Sequence, residues 1–268
     1  MIKNQTIKNR DKLMNLKVAT VFSAGLLLSA APVMASDAQV DKAKSAIQQL
    51  KKQSAVEFAY QRHSDFGERT MRERYRPLPD SHGWTLLSEN GEKPTTQRLT
   101  EYQQMKNDEW QSGQQTQDTE DQDQQSIKLS LSDMIQADTL VYVGEQEWRQ
   151  QQVLAYTFTP YLDKFSEHDD KLQGNLYLSP NSHSPAGLSI TLKESFSPAM
   201  SVTLENFEMQ IELMPITDKG TTFYVPKQTE EKMAGSYLYF KDFSNHTIRE
   251  YTDYSVLDTA SVSRVSAN

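Results

Sequence analysis

Between residues 138 and 256 apolar and polar side chains alternate at a period of two. Leu154, Tyr156 and Phe158 lie two apart, as do Leu188, Ile190 and Leu192, then Phe207, Met209, Ile211 and Leu213, then Tyr237 and Tyr239. That period places each set on one face of a sheet. Turn-forming residues separate or end the runs: Gly144, Asn181, Gly187, Asp218-Lys219-Gly220, Gly235 and Asn245. Strands are predicted near 138–144, 147–159, 171–179, 187–194, 200–214, 221–229, 233–241 and 246–256, paired as an antiparallel meander. Inside 200–214 the phase changes, since Val202 and Leu204 are even-numbered and Phe207 to Leu213 odd-numbered. One extra residue near Glu205-Asn206 restores a common face, which predicts a β-bulge.

Ahead of the meander the pattern is mixed. Val40, Ala43, Ile47 and Leu50 form a helical stripe in a segment from Ser36 to about Lys52, with Ser36 and Asp37 as caps. Val56, Phe58 and Tyr60 alternate as a strand, and residues 66–76 as a second, with Ser64-Asp65 read as their connection. Gly83-Trp84-Thr85-Leu86-Leu87 is a short strand ended by Asn90-Gly91, a strong turn signal. Thr95 then caps a helix with Leu99, Tyr102 and Met105 on its apolar edge. Residues 111–126 carry seven Gln and four acids and no apolar side chain, and are predicted to be a disordered insertion. A short helix near Leu131, Met134 and Ile135 leads into the meander, and residues 258–268 read as a flexible tail.

The first 35 residues change the picture. Lys3, Lys8, Arg10, Lys12 and Lys17 form a basic head, Val18 to Ala31 is a short apolar run, and Val33-Met34-Ala35 suits a cleavage site. This is the layout of a secretory signal peptide, so a periplasmic location is expected, with no integral membrane span once the leader is removed. The chain has no Cys, which excludes disulfides and thiol chemistry. Of its 28 basic and 36 acidic residues, the five basic ones and Asp11 fall in the leader, and the rest carries a net charge of −12. Such a surface argues against nucleic acid as a partner.

Little in the sequence spells out a reaction. His63, His82, His168, His183 and His246 are scattered. Glu167-His168-Asp169-Asp170 mixes ligand types, but adjacent residues rarely converge on one metal, and neither an H-E-x-x-H nor a G-x-S-x-G motif is present. No catalytic residue, metal or cofactor is assigned, and the chain is expected not to be an enzyme. On the predicted strand at 66–76, Arg72, Arg74 and Arg76 share one face with Thr70, while Arg69, Met71, Glu73 and Tyr75 lie on the other. The three guanidinium groups are a candidate anion or partner contact, weighed against a solvent face paired with acids such as Glu57.

Three segments then stand out: Gly83-Trp84-Thr85-Leu86-Leu87 with Asn90-Gly91 and Pro94-Thr95, Phe196-Ser197-Pro198-Ala199-Met200, and Tyr239-Phe240-Lys241-Asp242-Phe243. With the order helix, strand pair, long meander, they resemble a family of exported proteobacterial proteins related to the periplasmic lipoprotein-carrier half-barrels of the LolA and RseB type. The resemblance covers most of residues 37–257. It implies a half-barrel enclosing an acyl chain, a lipid or a lipidated partner, and it brings no catalytic residues.

The sequence reading is thus an α+β protein in which residues 36–257 form a single domain, a large curved antiparallel sheet covered by a few helices. The expected function is a non-enzymatic carrier, and the alternative is an envelope interaction or sensor module with a filled core. Lining for an apolar site is expected from Leu154, Tyr156, Phe158, Leu176, Ile190, Leu192, Val202, Leu204, Phe207 and Met209, with Phe196 and Met200 at its rim.

Overall fold

The computed structural model describes residues 37–53, 56–78, 80–115, 131–199, 201–238 and 241–257. The expected leader, Met200, Tyr239, Phe240, residues 116–126 of the expected insertion and the expected tail at 258–268 lie outside them. The fold is α+β. Helix α1 (Asp37–Gln53) precedes strands β1 (Phe58–Asp65), β2 (Thr70–Tyr75) and β3 (Trp84–Glu89), and helix α2 (Thr96–Gln115) follows them. The meander comprises β4 (Val141–Trp148), β5 (Gln151–Phe158), β6 (Leu172–Leu178), β7 (Pro185–Leu192), β8 (Phe196–Ala199), β9 (Val202–Asp218), β10 (Thr221–Tyr237) and β11 (Lys241–Val256).

Among the described residues all eleven strands form one open antiparallel sheet, in the order β3-β2-β1-β11-β10-β9-β7-β6-β5-β4, with β8 beside β9. The first three strands therefore extend the sheet beyond the last one, through β1 pairing with β11 (Phe58 opposite Val256). Two-residue turns at Asn90-Gly91 (φ 52° and 79°), Arg149-Gln150 (48° and 63°) and Lys219-Gly220 (47° and 81°) have the left-handed conformations that close hairpins tightly. The bulge expected near Glu205 is present: Ala234 faces Asn206 and Gly235 faces Leu204, so Glu205 is skipped.

Several boundaries differ from the sequence reading. Ser64 and Asp65 lie inside β1, opposite Met71 and Thr70. The connection falls at residues 66–69, where Gly67 has φ 83° and donates its N–H to Asp65 Oδ1 at 2.7 Å. Residues 221–237 are one strand, not two with a break near 230, and the next turn comes at Leu238. Residues 131–134 form a turn, not a helix, and Asp163–Lys171 coils into 3-10 turns. Helix α2 runs to Gln115, five residues into the segment expected to be disordered.

The inner face of the sheet carries both helices. It can be traced through Leu188, Ile211, Thr229, Arg249, Ser64 and Met71, opposite one another on successive strands. Helix α1 seats Ala43, Ala46, Ile47 and Leu50 on it, against Leu154, Tyr156, Leu176, Leu188 and Ile190. Gln53 closes the helix onto β10, donating to Tyr224 O at 2.6 Å and accepting from Tyr224 N at 2.7 Å. A second apolar cluster, Met71, Leu86 and Tyr102, joins α2 to β2 and β3.

Candidate functional site

The residues expected to line an apolar site come together, but as packed core. Leu154, Tyr156, Phe158, Leu176, Ile190, Phe196, Leu204 and Phe207 are buried in one cluster, with Leu192 and Met209 half-buried against it and Val202 half-buried on β9. A side chain beside a space wide enough for water has accessible surface, whether or not that space opens to solvent. Tyr156, Leu176, Leu178, Leu188 and Ile190 have 0 %. Burial of this kind pushes the Tyr156 hydroxyl up to about 12. Two open depressions, of about 600 and 440 Å³, run along α2 beside Gln103, Gln104 and Asp108, and none of the expected lining residues borders them.

A buried polar network was not foreseen. Period-two alternation turns Glu73 inward with Met71 and Tyr75, where it is 2 % exposed. Arg62, its neighbour across β1, donates to Glu73 Oε2 from Nε at 3.0 Å and from Nη2 at 2.7 Å. The Tyr102 hydroxyl donates to Oε1 at 2.7 Å, which pins α2 to the sheet. The guanidinium of Arg62 also lies over the Trp84 ring, 4.1 Å from its centroid. Burial first, and the Glu73 charge second, raise the Tyr102 pKa above that of an ordinary phenol. A sequence signal existed, an acid between two apolar residues of one strand face, but its partners lie 11 and 29 residues away.

Next to this network Glu89 anchors the start of α2. Arg98 donates to it from Nε at 2.6 Å and Nη2 at 3.1 Å, and Arg69 lies at 3.8 Å. The Arg98 hydrogen bond outweighs partial burial and holds the Glu89 carboxyl below its usual range. A depressed carboxyl contributes stability above its unfolded pKa and loses it as pH falls through the folded value. Glu89→Gln should therefore be less stable than wild type at neutral pH, by no more than about 1 kcal/mol for a partly exposed pair. The difference should hold above the ordinary carboxyl range and shrink as pH falls below about 4, which urea melts across that range would measure.

The outer face is divided. On β9 to β11 several of its charges pair with one another: Arg149 with Glu212 (3.3 Å) and Glu230 (3.5 Å), Lys227 with Glu212 (2.6 Å), and Lys232 and His246 with Glu230 (both 2.9 Å). At the β5–β6 end Trp148 stacks on Tyr177, with centroids 4.5 Å apart, and covers Val153 and Ala155. A Cβ on Gly187 would lie 2.3 Å from that indole and 2.4 Å from Ile211 O. On β2, by contrast, Arg72 and Arg74 point outward and are exposed, and Arg76 is exposed just past the strand end. Arg72 lies opposite His63 and Ser88, and Arg74 opposite Gln61 and Thr85.

The histidines do not converge. His82 accepts from Trp84 N at Nδ1 (2.8 Å), so its Nε2 carries the proton donated to Gln103 Oε1 (3.0 Å). The His168 ring packs on Phe196 at 4.4 Å. Among the described residues no group of three His, Cys, Asp or Glu side chains is placed to hold a metal ion, and no helix is long and apolar enough to cross a membrane. Of the segments that carry the half-barrel resemblance, the first forms β3 and its turn, and the second forms β8 as far as Ala199. No family model matches the chain, and no curated protein or solved structure is significantly similar to it. The likeness to the lipoprotein carriers rests on those sequence segments alone.

Proposed function

We propose that this protein is a non-enzymatic interaction module of the bacterial envelope, which engages a partner through its surface and does not enclose an acyl chain. The observation that supports this reading is the sealed inner core. Three of the side chains expected to line a lipid site, Tyr156, Leu176 and Ile190, have no accessible surface, and neither have their neighbours Leu178 and Leu188. An acyl chain of useful length needs a cavity of about 300 Å³ or more, and to open one α1 would have to leave the sheet. That would expose Ala43, Ala46, Ile47 and Leu50 together with the residues beneath them. At about 25 cal/mol per Å² of apolar surface, so large an exposure opposes binding strongly. The outer face of β1 to β3, which no described helix covers, is the surface available to a partner.

Organic extraction of the natively purified protein, followed by mass spectrometry, is expected to yield no stoichiometric lipid, and titration with a fluorescent fatty acid no saturable signal. A stoichiometric lipid, or saturable fatty-acid binding that Met209→Trp abolishes in a folded protein, would return the carrier reading to first place. Met209 suits this control because it is only half-buried at the edge of the core.

A further inference from the structure

We propose that the row Arg72, Arg74 and Arg76 is a docking strip for an acidic, extended segment of a partner protein. This rests on the interaction-module reading and names the chemistry of its partner. Eight arginines lie among the described residues. Five of them, Arg62, Arg69, Arg98, Arg149 and Arg249, form ion pairs. The three that form none are Arg72 and Arg74, outward on β2, and Arg76, exposed just past its end. The chain carries 36 acids against 28 basic residues, so a shortage of acidic neighbours does not account for three unpaired guanidinium groups in a row.

The spacing selects the ligand. Side chains two apart on a strand are separated by about 6.5–7 Å, which is the interval between Arg72 and Arg74, and Arg76 follows just past the strand end. An extended peptide lying along β2 repeats its side chains at the same interval, and its alternate carboxylates meet the guanidinium groups one for one. Each guanidinium can grip a carboxylate with two parallel N–H···O bonds. A single phosphate is too compact to span the row. A long polyanion is opposed by the net negative charge of the rest of the protein, whereas a short acidic segment is not opposed to the same degree. The neighbours across the strands are Gln61, His63, Thr85 and Ser88, hydrogen-bonding side chains with no acid among them.

The test uses the full mature chain and a synthetic peptide of alternating Glu and Thr, labelled for fluorescence anisotropy. A second peptide carries as many Glu residues three positions apart, and dextran sulfate serves as a generic polyanion. The alternating peptide is expected to bind, and to weaken as salt is raised past about 0.1 M, where the screening length is about 10 Å. Arg72→Ala/Arg74→Ala should weaken it at least about tenfold with an unchanged melting temperature, because both side chains are exposed. Arg72→Lys/Arg74→Lys, which keeps the charge and loses the fork, should fall between. The proposal is overturned if the alternating peptide does not bind, or if the alanine variant binds it as wild type does. It also fails if the second peptide or dextran sulfate binds equally well, or if binding appears only after residues 116–126, with their own four acids, are deleted. A lipid found by extraction would sink the interaction-module reading whatever the peptide does, while failure of the peptide alone sinks only the strip.

Discussion

Glu73→Ala is expected to destabilise the protein by about 3–5 kcal/mol, the loss typical when one partner of a buried ion pair is removed. Two side chains depend on this carboxylate. Two nitrogens of Arg62 donate to one of its oxygens, and the Tyr102 hydroxyl donates to the other. Without it the guanidinium has only the Trp84 ring beneath it, and the phenol of a fully buried tyrosine has no acceptor. The Arg62 side chain keeps 19 % exposure, so water relieves part of the penalty and the lower half of the range is the better expectation. The arrangement also explains why an acid occupies this position. Helix α2 has only a narrow apolar edge, with Tyr102 its one fully buried member, and the shared carboxylate fixes where that edge sits. Replacing all three groups by apolar ones of similar volume (Arg62→Met, Glu73→Leu, Tyr102→Phe) should recover most of the loss, since it removes the charges and donors together. Urea denaturation of the two variants measures both effects. A loss below about 1 kcal/mol for Glu73→Ala would mean that the network is more hydrated than its burial indicates.

The same strand shows which parts of the molecule were legible in sequence. Alternation alone sends Arg72 and Arg74 outward and Glu73 inward, and both placements hold in the structure. The partners of Glu73 could not be read, because they come from other elements and only the sheet register brings them together. Turn chemistry was legible where it depends on left-handed glycine, as at Asn90-Gly91 and Lys219-Gly220. It misled at Gly235, which lies inside β10. A Cβ there would meet Thr203 O at 2.0 Å, so glycine serves close strand approach beside the bulge, not a turn. The turn that follows uses Leu238 at φ 51°, a residue that carries no turn signal. Likewise Ser64-Asp65 resembles a connection by composition, yet Ser64 is fully buried in the ladder. The apolar alternation of β5, β7 and β9 identified the inner face correctly. Whether that face encloses a space or a packed core depends on how deeply α1 sits, which no local pattern encodes.

Leu176→Ala probes that difference directly, with an expected loss of about 2–5 kcal/mol. Leu176 faces Tyr156 on one side and Leu188 on the other, and all three have no accessible surface. The cost of such a truncation depends on how far the surroundings can collapse into the gap. Here the neighbours are held by strand pairing on both sides and roofed by α1, so collapse is restricted and the upper half of the range applies. The resulting hole is lined by apolar side chains and should stay dry. It follows that the variant, unlike wild type, should bind a small apolar probe such as xenon in a saturable manner, detectable by the shift of methyl resonances around residue 176. This pairing of results separates a sealed core from a pre-existing lipid site. In a sealed core truncation costs stability and creates binding that was absent. In a lipid site the same truncation would enlarge a space already present, cost no more than the lower end of that range, and leave wild type and variant both able to bind the probe. The second pattern would place the acyl-carrier reading ahead of the interaction module.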